Sequence, residues 1–188
     1  MFNTELLTDT DISVVEASSE HIKHAHFICE LIESATKTPG TGIAKRSPNY
    51  ISSKIKDGKA IIAFLHSKPI GFCYIETWEH GKYVANSGLI VDPQYRDLGL
   101  AKKIKAKAFQ LSRKKFPVAN IFGLTTSLAV MKINSDLGYR PVTFSELTKD
   151  DTFWHGCNSC ANYDILQRTK RQMCLCTGML FKTSKLKT

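Results

Sequence analysis

The sequence predicts an α/β protein with a mixed, mainly antiparallel sheet and helices on both faces. Two observations predict this class. Three consecutive apolar segments are separated only by short polar turns, as antiparallel strands are, and segments with helical apolar spacing lie before and after them. A chain of 188 residues, 43% hydrophobic and 23% charged, has the length and composition of one globular domain. We therefore treat residues 1–188 as a single domain.

The amino-terminal part predicts one strand followed by two helices. Residues 12–15 form a short apolar segment typical of a strand. Ser19 can cap a helix whose apolar residues recur at helical spacing, namely Ile22, Ala25, Cys29 and Ile32. Ser47 followed by Pro48 predicts the start of the second helix, and Gly58 is a typical residue at its end.

The central part predicts three strands, at residues 60–65, 70–78 and 83–91. A lysine-rich amphipathic helix follows, with its apolar stripe at Ala101, Ile104, Ala108 and Leu111 and its lysines mostly elsewhere. The remaining elements are a strand at residues 120–125, a helix at 127–137 with a stripe at Val130, Ile133 and Leu137, and a strand at 139–145.

The stretch from the third central strand into the basic helix is the most informative. It reads G-L-I-V-D-P-Q-Y-R-D-L-G-L-A-K-K, from Gly88 to Lys103. A strand that turns through a glycine directly into a helix leaves backbone N–H groups unpaired at the positive end of the helix dipole. Gly99 also allows a ligand to approach the backbone closely. The stretch therefore predicts a site for a phosphate or pyrophosphate.

These residues and the order of elements resemble the GNAT superfamily of acyl-CoA N-acyltransferases, whose pattern at this turn is R/Q-x-x-G-x-G/A. The resemblance covers roughly residues 10–145, the expected acyl-CoA-binding core. It implies acetyl-CoA as the acyl donor, its pyrophosphate held by the turn and its pantetheine by a bulged strand. The cofactor contacts implied are Leu89, Ile90, Val91, Arg96, Asp97, Leu98, Gly99, Leu100, Ala101 and Lys102.

The sequence identifies the acid and the base for proton transfer less clearly than the cofactor contacts. Many members of the superfamily carry a tyrosine four residues before the glycine of a final L-G-F/Y, where it protonates the leaving thiolate. Asn134 stands at that position here. An amide donates hydrogen bonds but no proton, so water or another group supplies the proton, or the thiolate leaves without an acid. Glu76 is the better candidate base and His80 the other, although a structural role for Glu76 stays open.

The acceptor is expected to contact the loop before the second helix, which forms one wall of the acceptor site in this superfamily. Lys45 and Arg46 lie there, and arginine can bind a carboxylate through two hydrogen bonds. The chain is also similar to bacterial N-acetylglutamate-synthase-like members associated with arginine biosynthesis. That similarity implies a small amino-acid acceptor such as glutamate and an acetyl or succinyl donor. Acetylation of a protein or peptide amine is the alternative, and a non-enzymatic module that binds CoA or nucleic acid is a further one.

Four cysteines lie in a C-terminal element at residues 150–182, which we expect to form a hairpin. Cys157 and Cys160 are spaced as C-x-x-C, and Cys174 and Cys176 as C-x-C. Paired thiols in a chain without secretory features predict a structural zinc site, with His155 as a substitute ligand. Reduced structural thiols and redox control are the alternatives.

The net charge of +9 predicts an anionic partner. Few aromatic residues accompany the basic C-terminal tail, which includes Lys185 and Lys187, so nucleic acid is a poor candidate. No apolar run reaches the roughly 20 residues of a membrane span. The start of the chain, Met1 to Glu5, lacks the pattern of a signal peptide. We therefore expect a cytoplasmic enzyme with a small-molecule amine or amino-acid acceptor and no membrane partner; a homodimer stays open.

Overall fold

The computed structural model describes residues 11–37 and 41–183. The N-terminal segment from Met1 to Glu5, loop residues 38–40 and the tail residues Lys185 and Lys187 lie outside this part of the chain. The strands are β1 Ile12–Glu16, β2 Ala60–Leu65, β3 Lys68–Trp78, β4 Tyr83–Val91, β5 Asn120–Thr125, β6 Arg140–Val142 and β7 Thr177–Phe181. The α-helices are α1 Ala25–Thr36, α2 Pro48–Lys56, α3 Leu100–Lys115, α4 Leu128–Asp136, α5 Asp151–His155 and α6 Tyr163–Arg168.

The seven strands form one sheet in the order β1-β2-β3-β4-β5-β7-β6. The pair β4 and β5 is parallel, and the other neighbouring pairs are antiparallel. The parallel pairing is short, because it joins only residues 83–85 to residues 120–122. Beyond that point β4 and β5 do not pair with each other. The predicted mixed, mainly antiparallel α/β class is confirmed.

Helices cover both faces of the sheet. Along β3, Cys73 and Ile75 pack in the same core as Ile104 and Leu111 of α3. Phe72 and Tyr74 point to the opposite face, in a second core with α1 and α2. This alternation is the period of two that the sequence of β3 predicts. The sheet therefore places α3 behind β4 and the α1–α2 pair in front of it.

A bulge distorts the pairing of β3 with β4. Phe72 is opposite Ile90, but Tyr74 is opposite Ser87, so β4 carries an extra residue at this point. Gly88 lies in the bulge with φ of +65°. The family resemblance implies a bulge near residues 89–91, and the observed one comes slightly earlier.

Several predicted elements differ from the structure. The helix expected from Ser19 begins as a 3₁₀ helix, Ser19–His24, before α1. The strand expected at residues 139–145 is only Arg140–Val142. In α4 the stripe residues Val130, Ile133 and Leu137 are only half-buried, and the fully buried residue is Asn134. In α3, Lys105 joins the buried face that the lysines were expected to avoid.

The predicted cysteine-rich hairpin is not what the described residues form. Asp150 caps the short helix α5 by accepting a hydrogen bond from the Thr152 amide (2.9 Å), and α6 follows. The C-x-C pair lies outside any strand, just before β7. That strand pairs with β5 on one side and β6 on the other. Long-range pairing of this kind has no local sequence pattern. No helix among residues 11–37 and 41–183 is long and apolar enough to cross a membrane.

The bulge predicts a difference between two glycine variants. A Cβ on Gly88 would lie 2.7 Å from Cε1 of the buried Tyr74, whereas a Cβ on Gly81 would meet nothing within 4 Å. Both residues have positive φ, so alanine costs about 1–2 kcal/mol at each. We expect Gly88→Ala to lower the free energy of unfolding by about 1–3 kcal/mol more than Gly81→Ala in urea denaturation. Equal losses would contradict the proposed clash.

Candidate functional site

A cleft of about 990 Å³ opens where β4 and β5 separate. The first turn of α3 lines one end of it. The loop from Gly42 to Arg46 and the segment around α5 and α6 line the other end. Most of the residues singled out in the sequence therefore contribute to a single cavity.

Asn86 marks the point at which the two strands separate. Its Nδ2 donates to Ser112 Oγ of α3 (2.8 Å), and its Oδ1 accepts from the Tyr139 hydroxyl (3.0 Å). All three residues are buried. This network fixes the end of the parallel pairing. From residue 87 to residue 91, β4 pairs with β3 but not with β5, so Leu89, Ile90 and Val91 face the cleft along an open strand edge.

The turn before α3 has the geometry of an anion site. Asp97 and Gly99 have φ of +64° and +71°, and Gly99 is the N-cap of α3. The first turn of α3 contains no acidic residue, and its first amides lack helical partners. The space on the Cβ side of Gly99 is empty within 4 Å. A pyrophosphate can therefore reach these amides without meeting a side chain at Gly99.

The structure brings nearly all the predicted turn residues to the cleft. Those that line it are Arg96, Asp97, Gly99, Leu100, Ala101 and Lys102. Leu98 is the exception, since it is not a lining residue and its side chain is 46% exposed.

At the other end of the cleft, Arg46 is held by neutral groups. Its Nε donates to the Tyr74 hydroxyl (3.0 Å), and its Nη1 donates to the carbonyl oxygens of Lys45 (2.9 Å) and Gly156 (3.1 Å). No carboxylate among the described residues forms an ion pair with it. Lys45, by contrast, pairs with Glu33 of α1 at 2.9 Å and is more than half exposed. Arg46 is thus the better-placed cation of the two.

Glu76 lies on the same wall of the cleft, between two donors. The Tyr50 hydroxyl donates to one carboxylate oxygen and the Lys54 ammonium to the other. Burial, together with the neighbouring Tyr74 and Glu76, raises the pKa of Tyr50 far above its usual value, so this hydroxyl stays protonated. Glu76 can accept a substrate proton only by sharing an oxygen that already accepts a hydrogen bond. His80, the other candidate base, is exposed and does not line the cleft.

Three side chains around the cleft bury polar atoms that have no partner among the described residues. They are Trp78 Nε1, Asn134 Oδ1 and Asn162 Nδ2. Such orphan atoms are costly and rare in folded proteins, so a ligand that completes their hydrogen bonds would stabilise the site. Asn134 was a candidate from sequence. Asn162 was missed, because no sequence pattern shows that the α5–α6 segment returns to the sheet.

The predicted zinc site is not supported. Cys157, Cys160, Cys174 and Cys176 all line the cleft, but within the described ranges no three His, Cys, Asp or Glu side chains are placed to hold a metal ion. Cys174 Sγ instead contacts the Asn162 carbonyl oxygen at 3.7 Å. Burial and the neighbouring thiols raise the pKa of Cys176 to about 12. The cysteines are packed as free thiols.

With this geometry established, comparison with known proteins identifies the family. Residues 28–129 match the model of the acetyltransferase (GNAT) family. The chain belongs to the GNAT family and is an acetyltransferase. A search of curated proteins found no significant match.

Solved structures share the fold at low sequence identity. N-acetylglutamate synthase from Neisseria gonorrhoeae, complexed with coenzyme A and N-acetyl-glutamate, is 18% identical with a TM-score of 0.65. The match covers 93% of this chain but only 35% of the synthase, so the chain spans about a third of that protein.

Two other solved structures match over nearly their whole length. A Mycobacterium tuberculosis protein in complex with CoA is 15% identical, with a TM-score of 0.64 and coverage of 90% of this chain and 98% of that one. Diaminobutyrate acetyltransferase from Paenibacillus lautus, in complex with L-2,4-diaminobutyric acid and coenzyme A, is 9% identical with a TM-score of 0.61. That match covers 92% of this chain and 95% of the enzyme.

The packing of the thiols predicts slow alkylation. Burial and the neighbouring Cys160 raise the pKa of Cys157 to about 11, and Cys176 is shifted in the same direction. At pH 8 we expect iodoacetamide to modify both at least about 100-fold more slowly than in the urea-unfolded chain, and faster as pH rises. Mass spectrometry of the proteolytic peptides measures the rates. Alkylation as fast as in the unfolded chain would show that the thiols are not buried as described.

Proposed function

We propose that this acetyltransferase moves an acetyl group from acetyl-CoA to the amine of a small amino acid, with glutamate as the leading candidate. The observation that carries the proposal is Arg46, a guanidinium without a carboxylate partner among residues 11–37 and 41–183, in the same cleft as the amide-lined turn at Gly99. The cleft can thus bind a pyrophosphate at one end and a carboxylate at the other. If glutamate is the acceptor, a role in arginine biosynthesis and a cytoplasmic location follow as part of the proposal.

We propose that the donor half of the cleft holds CoA. In our proposal the amides at the start of α3 bind the pyrophosphate, and Arg96 and Lys102 add positive charge. The pantetheine then runs along the open edge of β4, where Leu89, Ile90 and Val91 line the cleft. Its amides would pair with the exposed edge of β4 as a short added strand. This arrangement directs the thioester toward the point where β4 and β5 separate.

The acceptor half offers donors suited to an acidic amino acid. Arg46 would bind the α-carboxylate. Trp78 Nε1 and Asn162 Nδ2 are buried donors without a partner among the described residues, and they would bind the second carboxylate of glutamate once side chains around the cleft move to expose them. Structural relatives provide precedent, since the N. gonorrhoeae synthase holds N-acetyl-glutamate and the P. lautus enzyme holds a diamino acid. Succinyl-CoA is the alternative donor, and a peptide amine is the alternative acceptor.

The proposed reaction is direct attack of the amine on the thioester. The neutral amine forms the C–N bond while the C–S bond breaks and its electron pair moves to sulfur. An α-amine with a pKa near or above about 8 is mostly protonated at neutral pH, so a base must accept a proton. In our proposal Glu76 accepts it while Tyr50 and Lys54 hold the carboxylate in position. Asn134 contacts the sulfur side but supplies no proton.

Gly99→Glu tests the donor half. The space beside Gly99 is empty, so the fold should persist despite the strain of a side chain at φ of +71°. The new carboxylate would lie where the pyrophosphate binds and repel it. We expect CoA affinity measured by calorimetry to fall by more than about 100-fold, with the circular dichroism spectrum unchanged. Unchanged affinity would contradict the assignment of this turn to the pyrophosphate.

Arg46→Ala tests the acceptor half. Loss of charge-assisted hydrogen bonds is expected to raise KM for the amino acid by about 10- to 100-fold and to leave KM for acetyl-CoA nearly unchanged. Arg46→Lys keeps the charge without the planar geometry and should give an intermediate effect. Arg168→Ala removes an exposed arginine, 71% accessible, and is the matched control. Equal rises in KM for both substrates in Arg46→Ala would indicate a structural role instead.

An acceptor panel tests the substrate class. Purified enzyme is assayed with free amino acids and with lysine-containing peptides, using acetyl-CoA and succinyl-CoA as donors. We expect the highest kcat/KM for an acidic amino acid with acetyl-CoA, because the acceptor end presents three donor side chains. Turnover of peptides alone would overturn the amino-acid proposal and leave the GNAT assignment intact.

A further inference from the structure

Lys105 is the one member of the buried face of α3 that carries a charge. The other inward residues of this helix are Leu100, Ile104, Ala108, Leu111 and Ser112. Lys105 is only 2% exposed, yet it lines the cleft. Burying an ammonium costs several kcal/mol unless an anion or dipoles compensate it. Its position therefore calls for an explanation beyond packing.

The ammonium lies at the point where β4 and β5 separate. Nζ is 3.6 Å from the position that a Cβ of Gly123 would occupy, and the same position is 3.3 Å from the Asn86 carbonyl oxygen. Asn86 follows the last residue of β4 that pairs with β5. The absence of a side chain at Gly123 thus leaves room for the ammonium at the base of the split.

The surroundings of Lys105 are aromatic, thiol and amide groups. Its Nζ is 5.3 Å from the centroid of the Tyr139 ring, a cation–π contact. Cys73 of β3 is the titratable side chain whose charge acts on its pKa. No ion pair within residues 11–37 and 41–183 involves Lys105. The cleft is therefore the side from which an anion can reach this ammonium.

From this placement we propose that Lys105 acts on the leaving thiolate of CoA, by stabilising the negative charge on sulfur and then giving it a proton. The proposal rests on acetyl transfer from acetyl-CoA but not on the identity of the acceptor. As the acceptor nitrogen bonds to the carbonyl carbon, the C–S bond breaks and its electron pair goes to sulfur. One Nζ proton then moves to sulfur, giving CoA thiol and a neutral Lys105. Solvent returns the proton to the amine.

The proton chemistry of the surroundings is consistent with this role. Burial lowers the pKa of Lys105 to about 8, opposed by Cys73. An alkyl thiol has a pKa of about 8.5, so the pKa values of the ammonium and the thiol are close enough for a proton to pass between them. Burial raises the pKa of Cys73 to about 11, and burial raises that of Tyr139 well above its usual value. Both neighbours stay neutral at pH 7–8, so Lys105 is the group that titrates there.

Lys105 also supplies the proton donor that α4 lacks. Asn134 occupies the position at which the family pattern places an acid, and it is buried with its Oδ1 unpaired. An amide cannot protonate sulfur. With Lys105 across the same cleft, the acid function would come from α3 instead of α4.

A titration of the bound CoA thiol tests the proposal without any acceptor. The ultraviolet absorbance of the thiolate is followed against pH in the enzyme–CoA complex, with the desulfo-CoA complex subtracted to remove the protein's own thiols. In the wild-type enzyme we expect the pKa of the bound thiol to lie at least about one unit below that of free CoA, because a nearby ammonium favours the thiolate. Lys105→Met should abolish this shift. Lys114→Met, which removes an exposed lysine from the same helix, should keep it.

The second measurement separates proton donation from simple binding. Lys105→Met is expected to lower kcat by about 100-fold or more while KM for acetyl-CoA changes less than about threefold. Lys105→Arg keeps a cation but not a readily lost proton, so it should keep part of the thiol pKa shift and recover little of kcat.

Three results would overturn the proposal. They are a bound-thiol pKa equal to that of free CoA in the wild-type enzyme, a rise in KM alone in Lys105→Met, or a wild-type kcat in that variant. The first needs only the wild-type protein, so the test does not depend on how the variants fold. Failure to bind CoA at all would overturn the proposed function as well, whereas normal CoA binding with an unshifted thiol pKa would reject the Lys105 role alone.

Discussion

The separation of β4 from β5 is the constraint on which the rest of the site depends. Parallel pairing stops after residue 85, and the buried Asn86 network with Ser112 and Tyr139 fixes that end point. On the other edge of β4, the bulge at Gly88 changes the register against β3. Together these features open a cleft through the middle of the sheet while both strands remain anchored. A single flat sheet of the same strands would have no space for a ligand between them.

Three features of the structure create a positive potential in the cleft. The start of α3 contributes its dipole and unpaired amides, the loop before α2 contributes Arg46, and the buried face of α3 contributes Lys105. Neither Arg46 nor Lys105 forms an ion pair with a carboxylate among the described residues. A low-dielectric cleft strengthens their effect on an anion. The overall charge of +9 is thus partly concentrated where an anionic cofactor and substrate would bind.

The accuracy of the sequence-based prediction varies with the range of the interactions involved. Local patterns were sufficient for the helix α2, capped by Ser47, and for the turn at Gly99, because caps and left-handed turns are properties of a few adjacent residues. The predicted zinc site is not supported among the described residues, because cysteine spacing does not show whether thiols converge with metal geometry. In place of the predicted hairpin, the C-terminal segment forms α5, α6 and β7. The burial of Lys105 was missed, since an amphipathic pattern treats every lysine as exposed.

The sequence by itself determined the order of the elements, the mixed sheet and the pyrophosphate-type turn, because each depends on periodicity or on residues that are neighbours in the chain. Only the tertiary structure decided which side chains meet. It turned Lys45 toward Glu33 and Arg46 toward the cleft. It also brought Asn162 and Cys176 from the C-terminal segment against the loop at Gly42. These contacts depend on the register of distant strands and on packing between remote segments. No local sequence pattern shows either of them.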